Sequence, residues 1–375
     1  MEAALIKNFK FFIIQLYIGA IILCGFSTYA SPPKYSNEFL SIGVGARSLA
    51  MANAYSSVTN DVTSGYWNPA GLLHIQSNLQ LGFMHSQYFA GLARYDYGGI
   101  AIKANENNHI GFSYIRFGVD DIPDTSELID AEGNINYDRI RSFNASDNAF
   151  IISFARKMPE YENLFIGANA KVIRRTAGSF AGAWGFGLDI GAIYKMEQWQ
   201  FALVGRDITT TFNAWTYNLD DSMREVFTIT GNEIPSNSYE VTLPRFILGT
   251  SREFEFKNDI SLLASLDINI TTDGKRNVLI PGDPFSIEPA LGFELGYKKI
   301  VFLRGGIGNF QEYYKADENL TYSIQPNIGV GIVIGDILYV DYALTNVGNS
   351  SIALYSNVFS IKLNINRRDS DKIKE

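Results

Sequence analysis

The chain has 375 residues, 46% of them hydrophobic and 14% aromatic, with 33 glycines, 11 prolines and one cysteine. Lys and Arg number 31 against 39 Asp and Glu, a formal charge of -8; an acidic chain lacks the clustered basic residues that displace phosphate counterions, which excludes nucleic acid as a partner. Past the first segment no apolar run approaches the about 18 residues that a membrane helix needs.

Residues 1–30 read as an export leader. Lys7 and Lys10 form a basic start, Phe11 to Phe26 an almost unbroken apolar run, and Thr28-Tyr29-Ala30 a small-residue cleavage pattern before Ser31. A transmembrane anchor is the competing reading, and Gln15 with the adjacent cleavage pattern favours removal. Cys24 follows Leu23 where a lipidation site wants a small residue, so it is expected to leave with the leader. The mature chain then has no cysteine, which removes disulfides, thiolate catalysis and cysteine metal sites.

Residues 31–74 do not alternate. Gly43 to Ala54 is small and apolar, and Asp61 to Leu73 reads as a short helix broken at Pro69 and Gly71. This stretch is expected to tuck into a lumen as an N-terminal plug.

Residues 75–365 carry period-two alternation, which places one side-chain set on lipid and the other in a lumen. In the run from Trp184 to Gly191, even positions are large and apolar while odd ones are glycine or Asp189. The same pattern holds from Ile260 to Ile270, from Ile287 to Lys298 and from Phe359 to Ile365. An exported soluble β-protein also alternates. The leader, segments near the about 9 to 11 residues that cross a bilayer as tilted strands, and a glycine-rich polar face favour a barrel.

Strands are expected from about Leu79, Tyr95, Ile110, Asn148, Leu164, Ala183, Trp199, Tyr239, Ile260, Ile287, Val301, Ser323, Ile337 and Tyr355. The fold class is thus all-β: a transmembrane antiparallel β-barrel of about 14 strands with a short helical plug. Tight turns alternate with long loops near 118–147, 208–238, 271–286 and 309–322. Short turns belong on the periplasmic side of outer-membrane barrels, which puts both termini in the periplasm. Residues 366–375 form a charged periplasmic tail.

The stretch from Gly43 to Leu73 resembles the opening of the PorV/PorQ family, outer-membrane relatives of the FadL fatty acid transporter. Gly45-Ala46-Arg47, the small run through Ala54, and Asp61 followed by Tyr66-Trp67-Asn68-Pro69-Ala70-Gly71-Leu72 carry the resemblance. Val340-Asp341-Tyr342-Ala343 and Phe359-Ser360-Ile361 look like that family's closing hairpin. The resemblance implies a fourteen-stranded barrel whose N-terminal segment plugs the lumen. It implies a noncatalytic component of the type IX secretion system, with translocon or attachment-complex proteins and exported cargo bearing a C-terminal signal domain as partners. FadL-like proteins share the Asn-Pro-Ala-Gly segment, so a transporter for hydrophobic small molecules is the alternative.

The chemistry-bearing residues are sparse, and no catalytic residue, metal ligand or cofactor is assigned. The histidines are His74, His85 and His109. His85 shares parity with Leu79, Leu81 and Phe83, as a lipid-facing catalytic histidine or a polar residue at the interface. Asp120, Asp121, Asp124, Glu127, Asp130 and Glu132 form a calcium-binding or simply solvated loop, without EF-hand spacing. Ile122, Phe212, Trp215, Tyr217 and Phe227 are expected in loops, contacting a partner or folding as a lid. Tyr66, Trp67, Asn68, Pro69, Ala70 and Gly71 either wedge the plug against the wall or form a gate.

Overall fold

Alternation becomes a closed wall. The computed structural model describes residues 36–128, 134–314, 320–347 and 356–366. The leader with its cleavage site and Cys24, Asp130 and Glu132, the strand start at Tyr355 and residues 367–375 of the tail lie outside the described residues.

Sixteen strand segments form one sheet. They are β1 Leu79–Tyr88, β2 Ala93–Asn105, β3 Asn108–Asp124, β4 Arg141–Lys157, β5 Leu164–Ala177, β6 Ala181–Met196, β7 Trp199–Arg206 and β8 Thr211–Tyr217. There follow β9 Ser238–Thr242, β10 Arg245–Phe256, β11 Ile260–Thr271, β12 Ser286–Tyr297, β13 Val301–Tyr314, β14 Leu320–Ile334, β15 Leu338–Thr345 and β16 Ser356–Ile365. Neighbours pair antiparallel, and β1 pairs with both β2 and β16, so the sheet closes on itself.

The wall nevertheless has fourteen strands. Both β7 and β8 pair with β6, as the lower and upper parts of one strand that bends at Asp207 and Thr210, where φ is 54° and 58°. Their neighbours β9 and β10 are likewise one strand, interrupted at Leu243-Pro244, where proline has no N–H for the ladder.

Side chains sort by parity as expected. On β6, Trp184, Phe186, Ile190 and Tyr194 are exposed while Gly185, Gly187, Asp189 and Gly191 face the lumen. Exposed apolar side chains continue around the wall, Phe83 at 61%, Ile152 at 61% and Leu303 at 57% among them. Water penalises an apolar belt of that extent, whereas hydrocarbon solvates it.

The long loops differ from expectation. β3 runs to Asp124 and β4 starts at Arg141, so Ile122 lies on a strand. Phe212, Trp215 and Tyr217 form β8, and Phe227 sits on a helix, Asp221–Ile229. β13 continues to Tyr314, and β14 starts at Leu320. Past the apolar belt both faces of a hairpin meet water, so the alternation that marks a strand disappears from the sequence while its ladder continues. Bulges between Val119 and Ile122 and between Gly308 and Gln311 also switch the parity.

Inside the ring lies Ser36 to Ile75. It holds two short helices, α1 Ala46–Ala50 and α2 Ser64–Trp67, and two 3-10 turns, Glu38–Ser41 and Pro69–His74, and the helix Asp221–Ile229 on the long-loop end is α3. Asn68 accepts a hydrogen bond from Ala70 N, with Pro69 at the first position of the turn.

Candidate functional site

The plug's small residues let its backbone touch the wall. A Cβ at Gly306 or Gly292 would strike the Met51 backbone, and one at Gly167 the Pro69-Ala70 peptide. Val44, Ala46, Ala50, Met51, Ala54, Ala70 and Leu72 are completely buried. Polar contacts then stitch the plug to inward-facing residues around the ring. Ser360 Oγ accepts from Ala46 N at 3.0 Å, Asp267 accepts from Ser56 N at 2.9 Å, and Gln80 accepts from Val62 N at 2.6 Å. Asn327 donates to Leu49 O at 2.7 Å, Asn169 to Gly65 O at 2.8 Å, and Tyr97 to Val62 O at 2.9 Å. Each satisfies a plug backbone group that burial would otherwise leave unpaired.

Charge locks the plug on one side. Arg47 reaches Glu294 on β12 through two contacts, 2.7 and 2.8 Å. Glu294 meets Arg304 on β13 at 2.5 Å, Arg304 meets Asp341 on β15 at 2.7 Å, and Lys362 on β16 lies 3.7 Å from Asp341. Lys362 returns to the plug at Asp61, 2.7 Å away. Tyr55 completes the circuit, 3.2 Å from both Arg47 and Asp61. The signs alternate along the whole path, so three cations and three anions neutralise one another where water is excluded. Burial alone would raise the Asp61 carboxyl, but Lys362 and Thr63 hold it well below the usual carboxylate range.

A second cluster sits where β7 gives way to β8. Lys171 is 2.7 Å from Asp189 and 2.6 Å from Asp207, and Asp189 accepts from Asp207 N at 2.9 Å. Thr211 donates to Asp207, closing the bend. Beside it, the Arg206 guanidinium stacks 4.5 Å above the Tyr66 ring and 5.6 Å from Trp67, and donates to Tyr66 O at 3.1 Å.

A cavity of about 650 Å³ opens above this layer at the long-loop end. Tyr66, Trp67, Leu49 and Asn53 of the plug form part of its lining. Arg206, Arg245, Arg276, Glu38 and Glu288 supply its charges. Arg276 pairs with Asp273 at 2.6 Å and Glu38 at 3.0 Å, while Arg245 stands 4.0 Å from Glu38.

The structure brings the plug motif together: Tyr66 donates to Leu40 O at 2.7 Å, Trp67 to Val44 O at 2.8 Å, and Asn68 to Ser56 O at 3.1 Å. Pro69, Ala70 and Gly71 continue as the buried 3-10 turn. The loop candidates are dispersed. Phe212 faces outward, Trp215 donates to Glu240 at 3.0 Å and stacks on Tyr217 at 6.2 Å, and Ile122 is on β3.

His85 faces outward with Asp96 at 2.7 Å, and its cross-strand neighbours are Asp96 and Phe359, neither of which offers a hydroxyl nucleophile. Burial pushes the plug's His74 down to about 3, so it packs against Phe165 as a neutral ring. Of the acidic loop, Asp120 is drawn to Arg94 and Arg116, and Glu127 to Arg141. Among the described residues no three His, Cys, Asp or Glu side chains gather as a metal site. Arg47, Asp61 and Asp341 stand in the plug and hairpin motifs, but that they join Glu294, Arg304 and Lys362 in one circuit was not read from the sequence, nor were the arginines of the cavity; the available signal was inward parity, as for Arg304 and Lys362.

No family model and no curated protein matches the chain. Among solved structures it is similar to CymD, a monoaromatic hydrocarbon channel, with a TM-score of 0.54 and 13% identity over 87% of this chain and 98% of that one. The P. putida toluene transporter TodX gives 0.52 at 12% identity, covering 87% and 99%. At these identities the likeness concerns the fold alone: the chain is a closed, fourteen-strand antiparallel barrel, similar to them in fold.

Proposed function

We propose that the chain is an outer-membrane transporter, with its termini in the periplasm and its long loops outside, that admits a small molecule through a plug-gated lumen. The observation that carries this reading is that the plug itself lines the cavity, through Leu49, Asn53, Tyr66 and Trp67. A ligand seated there touches the element that must move for the lumen to open, and differential contact is what shifts such an equilibrium. The barrel fold shared with channels for toluene and other monoaromatic hydrocarbons supports it, as does the alternation of short turns and long loops.

The test is solute uptake into liposomes by a variant carrying Ala46→Cys and Ser360→Cys, positions already joined by a 3.0 Å hydrogen bond. Oxidation should stop uptake and reduction restore it. Equal uptake in both states would remove the plug from the path and the reading with it.

A secretion component of the PorV/PorQ type is the second reading, favoured by the plug sequence from Asp61 to Leu72 and by the exposed α3, where Ile229 is 76% exposed. Affinity purification from native membranes should then recover translocon or attachment proteins, or cargo with a C-terminal signal domain. Recovery of the barrel alone with bound lipid rejects it.

A further inference from the structure

The cavity above the plug differs in chemistry from a hydrocarbon site. Arg206 on β7 and Arg245 on β10 are directly opposite each other in the strand register, and both line the cavity. Like charges at opposed positions destabilise a sheet pair unless something neutralises them. Arg206 is only 9% exposed, and its Nε has no hydrogen-bond partner among the described residues. Asp189 and Asp207 stand beside it as counter-charges shared with Lys171, and both bond that lysine rather than the guanidinium. Tyr66 and Trp67 cover the guanidinium face at 4.5 and 5.6 Å and Tyr66 O accepts from its Nη2 at 3.1 Å, which fixes its plane and leaves Nε in need of an acceptor. Among the described residues Arg245 makes one ion pair, to Glu38 at 4.0 Å, and Arg276 holds that group more closely at 3.0 Å.

The rest of the lining is suited to hydroxyl groups. Asn269 and Asn277 contribute amides, Gln325 keeps its Nε2 while its Oε1 accepts from Asn309 at 2.7 Å, and the Oδ1 of Asn53 is buried without a donor among the described residues. Glu38 and Glu288 in the same lining repel a second negative charge.

From this we propose that the cavity binds a small hydroxylated monocarboxylate of the sugar-acid kind, its carboxylate held by Arg206 and Arg245 and its hydroxyls by the surrounding amides. The assignment rests on reading the cavity as the ligand entry of a transporter, and it departs from a neutral or long-chain apolar substrate. A carboxylate accepts charge-assisted bonds from both guanidiniums and relieves their repulsion. An apolar ligand would instead strip water from Arg206, Arg245 and Glu288 without replacing it.

Calorimetric titration of the purified full chain in detergent tests it, with sodium galacturonate, methyl galactoside, sodium decanoate and toluene as probes. Galacturonate should bind saturably, and methyl galactoside at least about tenfold more weakly. R245Q should weaken galacturonate by about tenfold or more while the barrel keeps its heat-modifiable mobility on gels. R206Q should do the same, and R245Q decides the matter if R206Q fails to fold. Absence of galacturonate binding, equal binding of the neutral sugar, displacement by decanoate or toluene, or an unchanged affinity in R245Q overturns the proposal. Liposome uptake measured alongside separates the two readings: binding without flux rejects the transporter and leaves the ligand class standing, whereas flux without preference for the acid rejects the ligand class alone.

Discussion

At the scale of single residues, the plug is held by charges that only have value as a set. Glu294 lies between Arg47 and Arg304 at 2.7 and 2.5 Å and is 6% exposed. Glu294→Gln keeps the shape and leaves two guanidiniums facing each other, so urea unfolding of the refolded barrel should show a loss of about 3 to 5 kcal/mol. A loss as small as that of an exposed ion pair, under about 1 kcal/mol, would mean that water reaches this site. Asp61 sets the pH dependence. Its folded carboxyl is held below the unfolded value, so its stabilising contribution is complete above the ordinary carboxylate range of about 4 and is lost only as pH falls through the lowered folded value. Hydrogen exchange of the plug amides should therefore stay protected through mild acid and give way only in strong acid. Deprotection already near neutral pH would assign the plug's hold to a different group.

At the scale of elements, the decisive fit is between a plug of small residues and wall strands that carry glycine at matching positions. Gly306 on β13 and Gly292 on β12 both lie against the Met51 backbone. Gly306→Leu has no space to fill, so α1 should be displaced, at a cost of about 1 to 3 kcal/mol or more, and residues 36–75 should become protease-sensitive. Ala264→Val, on the outward face of β11, should leave the plug protected. Sensitivity in both variants would mean that the plug is loosely held by any wall. The sequence carried half of this fit: the run from Gly43 to Ala54 was legible as unusually small, and so were the glycines of the strands, but nothing local states which glycine faces which plug residue. The broken strands show the same limit. Pro244 marks the break between β9 and β10 directly, whereas the β7–β8 bend depends on Lys171, Asp189 and Asp207, which are far apart in the chain.

At the scale of the whole molecule, the reading as a membrane barrel rests on the apolar belt. Leu303, 57% exposed on β13, belongs to that belt. Leu303→Arg should cost about 2 to 4 kcal/mol when folding is measured in lipid vesicles. A soluble β-protein would tolerate an exposed arginine there within about 0.5 kcal/mol, and that result would remove the membrane from the account. The same scale sets the division of the two ends, with tight turns such as Glu197-Gln198 at one and β3, β4, β8 and α3 projecting at the other. It is this projecting end that surrounds the cavity and its arginines.

By itself the sequence marked the wall: about fourteen strands and, within the apolar belt, the parity that turns one side-chain set outward. That information is local, because neighbouring residues in a strand point to opposite faces, and a solvent difference across the wall is written directly into the alternation. It also marked the plug, through residues too small and irregular for a strand. Tertiary structure alone decided which charges meet, because Asp61 and Lys362 are 301 positions apart and come together only when the first and last strands close the ring. It likewise decided that Arg206 and Arg245 face each other above Tyr66 and Trp67, since register across a sheet is set by the whole closed wall rather than by any segment within it.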